Sequence, residues 1–224
     1  MKQVVLASLR KLADPSKAGP MRAYMKSELP FLGINAPQLT LACRECFPRL
    51  SLPTAEAWRG LILDLWRGAR FREERYAAIR LADAGKFAAF RTPKAVPMLE
   101  EMIVSGAWWD YVDHLAARVL GDIVARYPKE LKPLMRRWAV CPDMWKRRSS
   151  ILCQLKFKKE TDLELLYYCI EPSLDSGEFF LRKAIGWALR EYAKTDPAEV
   201  RRCVRERGGR LSGLSRREAL KNIG

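Results

Sequence analysis

The sequence predicts an all-α protein, an α-solenoid of HEAT-like helical repeats that forms a concave basic groove. Three observations lead to this prediction. Apolar residues recur at three- and four-residue steps almost throughout, as in Trp58, Leu61, Ile62 and Leu65, which is the periodicity of an amphipathic helix. Convincing strand alternation is absent. Short breaks cut the chain into helices of about 10 to 18 residues, which is in the usual range for globular helices.

The breaks define the predicted helices in chain order. Their residues are typical of helix ends, because aspartate and threonine cap a helix and proline fits its first turn. From the N-terminus, the breaks are Asp14-Pro15, residues 30–33, Ala36-Pro37, residues 52–54, Thr92-Pro93, Tyr127-Pro128, residues 141–143, residues 175–177 and Asp196-Pro197. Helix pairs joined by such turns predict repeat units of roughly 35 to 45 residues. Since no low-complexity linker divides the chain, residues 1–224 are predicted to form one domain.

The net charge limits the class of partner. Lys and Arg number 41 against 26 Asp and Glu, giving a formal charge of +15, which is too large for a routine enzyme of neutral metabolites and predicts a polyanionic partner. No apolar run reaches the roughly 20 residues of a membrane span, and residues 1–14 carry charges within their apolar stretch, unlike a signal peptide. We therefore expect a cytoplasmic protein that binds nucleic acid and no membrane.

The six cysteines are scattered at uneven spacings through apolar helix faces, as buried thiols in a reducing compartment are. Cys43 and Cys46 form a CxxC, but no second pair follows and His114 is the sole histidine. A four-ligand zinc site is therefore hard to complete. We expect no disulfide framework, no metal and no cofactor.

Basic charge is concentrated in two segments. Residues 145–160 carry six basic residues against one acid, and residues 201–224 carry eight against two. On a curved helical array, such segments would line a DNA-sized surface. The alternative is that they are solvated helix faces, as most charge runs are.

Two helical segments contain candidate functional residues. Trp109 and Asp113 are four residues apart at a predicted helix start, so the indole and the carboxylate project from one face. Lys183, Trp187 and Arg190 share one face of a later helix. Each has a structural explanation as well, because tryptophans usually pack in cores and an aspartate near a helix start serves the helix dipole. Their occurrence together on a very basic helical chain favours a functional role.

A third segment contains Arg148 and Lys156. If one helix holds both, their separation of eight residues places them within about a quarter turn of each other. Together with Lys183 and Arg190, they are predicted to hold phosphates, which supplies affinity without sequence preference.

The chemistry open to Trp109 and Asp113 follows from charge. A purine alkylated at N3 or N7 is cationic, so its glycosidic bond is already weakened and the base leaves without a strong general acid. Indole faces attract cations by roughly 0.5 to 2 kcal/mol, and a carboxylate stabilises an oxocarbenium-like transition state. With an unperturbed pKa near 3.9, Asp113 would be a weak general base. Electrostatic stabilisation and positioning of water are therefore its expected roles.

At these residues the chain resembles the AlkD-type DNA alkylation repair glycosylases, which are built from HEAT-like repeats. The resemblance covers nearly the whole chain. Its segments are residues 20–26 (PMRAYMK), 31–34 (FLGI), 107–110 (AWWD) with Asp113, 120–123 (LGDI), 154–158 (QLKFK), 183–194 (KAIGWALREYAK) and 214–219 (LSRREA).

The resemblance implies a monofunctional glycosylase of base excision repair. It would release N3- and N7-alkylpurines from double-stranded DNA without metal or cofactor and without flipping the lesion into a closed pocket. It places Asp113, Trp109 and Trp187 at catalytic positions. It places Tyr24 at a lesion-side contact and Arg148 and Arg190 at DNA-backbone contacts. We also expect Lys26 to bind DNA. We expect a monomer.

Other functions remain open at this point. A non-catalytic helical-repeat protein that binds DNA or a protein partner would have the same scaffold and charge. An RNA-directed binder is the second alternative, because backbone charge does not distinguish the two nucleic acids. A bifunctional lyase would need an amine nucleophile, for which Lys183 is the nearest candidate.

Overall fold

The computed structural model describes residues 1–223, and every regular element in that range is helical. The prediction of an all-α helical-repeat architecture is thereby confirmed, whereas the concave groove stays a prediction. A π-helical segment, Leu115–Leu120, joins two of the α-helices. The α-helices are α1 (Lys2–Arg10), α2 (Pro15–Met25), α3 (Ala36–Cys46), α4 (Ala55–Arg67), α5 (Arg72–Asp83), α6 (Val96–Gly106), α7 (Trp109–His114), α8 (Gly121–Arg126), α9 (Pro128–Ala139), α10 (Met144–Leu152), α11 (Leu163–Ile170), α12 (Phe179–Tyr192), α13 (Pro197–Glu206) and α14 (Gly213–Leu220).

Several helices begin at the predicted breaks, and their first residues show why. The carboxylates of Asp14, Asp143 and Asp196 accept hydrogen bonds from backbone N–H groups in the first turns of α2, α10 and α13. Proline occupies the first turn of α2, α9 and α13, where its missing N–H costs no intrahelical hydrogen bond. The sequence signals at these positions therefore act locally, as expected.

The chain divides into two compact units, Met1–Arg91 and the residues from Thr92 onward. The single-domain assignment stays a prediction. In the first unit, α4 packs against α5 and α1 against α3. Trp58 and Trp66 are fully buried in its core, and the indole N–H of Trp58 donates to the carbonyl of Leu81 at 3.2 Å.

A buried carboxylate fixes the loop after α2. Glu73 on α5 is fully buried, and its oxygens accept the N–H groups of Leu32, Gly33 and Ile34 at 2.9, 2.9 and 3.0 Å. Gly33 has φ of 87° and lies against the carbonyl of Asp14, so a side chain would not fit there. The loop is therefore held rigidly on α5.

In the second unit, α10 packs against α9 and α12, and α14 lies along α12. Gly186 is the point of closest approach between α12 and α14. A Cβ at this position would meet the Cβ of Glu218 at 2.5 Å and the carbonyl oxygen of Ser215 at 2.9 Å. Only glycine allows the two backbones to approach this closely.

The π-helical segment makes α7 and α8 parts of one continuous helical run. Gly121, the first residue of α8, lies against the backbone of α10, since a Cβ there would be 2.5 Å from the carbonyl oxygen of Cys153. Asp113 lies two residues before the π-helical segment. Such segments are rare and occur frequently at functional sites.

One predicted helix is shorter than expected. α10 ends at Leu152, and Lys156 lies in the turn that follows. The assumption that Arg148 and Lys156 lie on one helix is therefore wrong. Leu152 and Leu155 continue the apolar three-residue spacing beyond the end of the helix, so periodicity alone gave no sign of it.

Five of the six cysteines are buried and Cys141 is half-buried, and all six are free thiols. Across residues 1–223, no helix is long and apolar enough to cross a membrane.

Candidate active site

Trp109 and Asp113 lie at the start of α7, as predicted. Ala107 ends α6 in the left-handed region with φ of 40°, and Trp108 is extended at the N-cap of α7. Trp109 is the first helical residue, and Asp113 follows one turn later. Trp109 is half-buried, and the side chain of Asp113 is mostly buried. The tight connection between α6 and α7 therefore sets the direction in which the indole and the carboxylate project.

Asp113 forms a buried bidentate ion pair with Arg148 of α10. Arg148 donates from Nε to Oδ1 at 2.7 Å and from Nη2 to Oδ2 at 2.8 Å, and its Nη1 donates to the carbonyl oxygen of Phe180 on α12. The side chains of Arg148 and Asp113 are 5% and 14% exposed. One guanidinium thus joins α7, α10 and α12, with the fork geometry that arginine offers to a carboxylate.

The ion pair was missed by sequence reasoning, which assigned Arg148 to a phosphate. Asp113 and Arg148 are 35 residues apart, and no local pattern connects them. Binding of phosphate by Arg148 stays a prediction, while its partner in the structure is Asp113.

Burial raises the pKa of Asp113 above its ordinary value of 3.8. Loss of solvation is the largest cause, the hydrogen bonds and charge of Arg148 act in the opposite direction, and the charge of Asp110 adds to the rise. The expectation of an unperturbed pKa is therefore wrong. A raised pKa makes the carboxylate a better proton acceptor near neutral pH, because base strength follows pKa.

A cluster of aromatic rings centred on Phe180 lies beside the guanidinium of Arg148. The ring of Phe180 lies 5.7 Å from that of Trp108 and 5.0 Å from that of Trp145, between ring centroids, and the guanidinium carbon of Arg148 is 5.9 Å from its centroid. The Nε1 atom of Trp108 is buried and has no hydrogen-bond partner among the described residues. The sequence signal for this cluster is the pair of phenylalanines at the start of α12, for which the sequence analysis predicted no role.

Trp187 lies on the same helix as Phe180. Seven residues separate them, which is close to two full turns, so they project from nearly the same side of α12 at an axial distance of about 10 Å. Trp187 is half-buried. The face of α12 that reaches Arg148 through Phe180 therefore continues to Trp187.

Lys183 and Arg190 flank Trp187 on α12 and share a partner. Glu218 of α14 accepts from Lys183 Nζ at 3.0 Å through Oε1, and from Arg190 Nη1 through Oε2. Their shared face on α12 is as predicted. No local sequence pattern indicates the carboxylate that joins them, because Glu218 is 35 residues from Lys183.

The remaining predicted residues lie elsewhere. Lys156 borders an open cleft in the second unit, beside Phe157 and Gln154. Tyr24 and Lys26 are in the first unit, where Tyr24 is 79% exposed and Lys26 ends α2 in the left-handed region with φ of 48°.

Many cations of the two basic segments have partners within the chain. Lys146 pairs with Glu100 at 2.6 Å, and Arg202 pairs with Glu199 at 2.5 Å and with Glu206 at 2.6 Å. For these residues the interpretation as helix-face ion pairs is favoured. Among the described residues, no three His, Cys, Asp or Glu side chains come together as a possible metal site.

Two comparisons with known proteins connect this site to a family. The model of the DNA alkylation repair enzyme family matches residues 5–223. The solved structure of a predicted DNA alkylation repair enzyme from Enterococcus faecalis is similar to this chain, with a TM-score of 0.75 and 30% sequence identity over 95% of this chain and 97% of that one. No curated protein matches.

The helical-repeat fold and the match over nearly the whole chain define the class, which is an enzyme of DNA repair. The chain belongs to the DNA alkylation repair enzyme family.

Proposed function

We propose that this protein is a monofunctional DNA glycosylase of AlkD type. It hydrolyses the N-glycosidic bond of cationic N3- and N7-alkylated purines in duplex DNA, the first step of base excision repair. The observation that favours this reaction most is the buried Asp113–Arg148 pair, whose carboxylate lies one helical turn after Trp109 on α7.

The reaction needs stabilisation of positive charge. When the glycosidic bond breaks, its electron pair moves to the purine and cancels the charge of the base, while the sugar becomes an oxocarbenium ion. Water then adds to the anomeric carbon and loses a proton. A carboxylate held close to the sugar stabilises this cation.

Arg148 prepares Asp113 for that role. It donates to both carboxylate oxygens and so fixes the plane of the carboxylate, which lowers the reorganisation needed during the reaction. The raised pKa of Asp113 also favours acceptance of the proton that the attacking water releases. Trp109 and Trp187 supply indole faces for the cationic base.

The predicted DNA contacts are Tyr24 on the lesion side and the cations Lys26, Arg148, Lys156, Lys183 and Arg190 along the backbone. We propose that the lesion is processed without being flipped into a closed pocket. The enzyme would act as a single-domain cytoplasmic monomer without metal or cofactor.

A lyase function is disfavoured by the environment of Lys183. A Schiff-base nucleophile is a neutral amine, whereas the ion pair with Glu218 stabilises the ammonium form.

The test is release of free base from duplex DNA that carries 7-methylguanine. We expect Asp113→Asn to lower the single-turnover rate about 10²-fold or more, as loss of one well-placed electrostatic group does in other enzymes. Asp122→Asn is the matched control, because Asp122 is in α8 of the same helical run and forms an ion pair with Arg126, four residues later, at 2.7 Å. Its rate should equal that of the native protein.

If the native protein bound DNA but released neither 7-methylguanine nor an N3-linked or bulkier base, the proposal would fail. The chain would then be a non-catalytic DNA-binding scaffold. Competition by double-stranded RNA at fixed salt separates this outcome from RNA binding.

A further inference from the structure

Glu218 places one carboxylate between two cations that are predicted to hold DNA. Lys183 and Arg190 lie seven residues apart on one face of α12, and Glu218 accepts from both, one with each oxygen. The three side chains together carry a net charge of +1. A phosphate that approaches this face meets two cations that already share a counterion.

The position of Glu218 is fixed by the packing of α14 on α12. Gly186 admits the Cβ of Glu218 at its surface, and the hydroxyl of Ser215 donates to the carbonyl of Arg182 at 2.9 Å. Ala219, next to Glu218, is fully buried. Packing of α14 on α12 therefore fixes the position of the Glu218 carboxylate next to Lys183 and Arg190.

Exposure differs among the three side chains. Lys183 and Arg190 are 39% and 24% exposed, and Glu218 is 19% exposed. The pKa of Glu218 is lowered by Lys183 first and by Arg190 and Lys221 after it, so the carboxylate is ionised at neutral pH. Lys183 is therefore the most open of the three side chains, while Arg190 and Glu218 are shielded to a similar extent.

We propose that Glu218 is a built-in counterion that weakens the contact of Lys183 and Arg190 with DNA phosphates and so limits affinity for undamaged duplex. Because phosphate contacts are the same in damaged and undamaged DNA, Glu218 lowers the affinity for both by the same factor. Its role is to limit how tightly the chain is held on duplex that carries no lesion. The inference rests on the proposed function in taking DNA phosphate as the partner of Lys183 and Arg190.

The experiment measures binding of the full chain to undamaged duplex DNA over a range of salt concentrations. Each cation–phosphate contact adds about 0.9 to the slope of log K against log salt. For Glu218→Gln we expect a slope that is steeper by about 0.9, and binding about fivefold tighter near 0.1 M salt. Glu218→Ala, which removes the polar group altogether, should change both quantities in the same direction.

Glu164→Gln is the matched control. Glu164 pairs with Arg136 and is 82% exposed, so the substitution changes the net charge equally but away from α12. Its slope should stay within about 0.2 of the native value. An equal change in slope for Glu164→Gln and Glu218→Gln would show a general effect of net charge and overturn the proposal.

A second arm tests whether Glu218 acts through its two partners. In a Lys183→Gln, Arg190→Gln background, Glu218→Gln should no longer steepen the slope, since the two interactions form one coupled set. An unchanged or shallower slope for Glu218→Gln in the native background would overturn the proposal. Loss of the helical circular dichroism signal in both Glu218 variants would do the same, because it would assign Glu218 to the packing of α14.

These results do not depend on catalysis. Release of 7-methylguanine by the native protein is followed separately. A steeper slope for Glu218→Gln in a protein that releases no base would uphold the counterion role and refute only the glycosylase function.

Discussion

Replacement of Arg148 by alanine tests the central contact of the candidate site. The substitution removes two hydrogen bonds to Asp113, at 2.7 and 2.8 Å, and a third to the carbonyl of Phe180. Asp113 would remain as a buried carboxylate without its cation. Removal of one partner from a buried pair costs about 3–5 kcal/mol, whereas an exposed pair contributes about 0–1 kcal/mol. Because Arg148 and Asp113 are both more than 85% buried as side chains, the larger range applies.

The same substitution changes the pH dependence of stability. Without Arg148, loss of solvation acts unopposed and the pKa of Asp113 rises further above 3.8. Between pH 3.8 and the raised value, the folded chain holds a proton that the unfolded chain has released. Stability of Arg148→Ala therefore falls as pH increases through this window, and the loss is complete above the folded-state pKa.

The measurement is urea unfolding, followed by circular dichroism at several pH values. Arg148→Ala, Asp113→Ala and the double variant form a cycle. The double variant should cost clearly less than the sum of the single ones, because it leaves no unpaired buried charge. A cost below 1 kcal/mol for Arg148→Ala at neutral pH, with additive single effects, would refute the assignment of a buried and coupled pair.

Two further substitutions test the packing that supports the site. Gly186→Ala should destabilise the protein by about 1–3 kcal/mol, because its methyl group would overlap α14. The control is Gly60→Ala, in open space on α4, which should be neutral or stabilising. Equal melting temperatures for the two variants would contradict the close approach of α12 and α14. Glu73→Gln should cost about 1–3 kcal/mol in urea unfolding, because an amide cannot accept all three loop N–H groups. A loss below 0.5 kcal/mol would show that the loop after α2 does not depend on this carboxylate.

The parts of the molecule that sequence predicted are those set by neighbouring residues. Capping by Asp14 and Asp143 depends on N–H groups two and three residues away, so composition at a break is enough to place the helix start. The shared face of Trp109 and Asp113 depends only on helical spacing. For the same reason the shared face of Lys183 and Arg190 could be predicted before any packing was known.

The contacts that sequence missed join residues far apart in the chain. Arg148 reaches Asp113 over 35 residues and Phe180 over 32, and Glu218 reaches Lys183 over 35. Each cation could pair with many acids, and only packing selects one. The end of α10 at Leu152 was also missed, because no glycine or proline marks it and the apolar spacing continues into the turn.

Burial of the cysteines has a consequence for a protein that repairs alkylated DNA. The agents that alkylate purines are electrophiles, and a thiolate is a stronger nucleophile toward them than a ring nitrogen is. Burial raises the pKa of Cys43 and Cys169 to about 12 and also raises that of Cys153 and Cys203, so these four thiols stay protonated and unreactive. Burial thereby protects four thiols of the protein from the same alkylating agents that damage DNA.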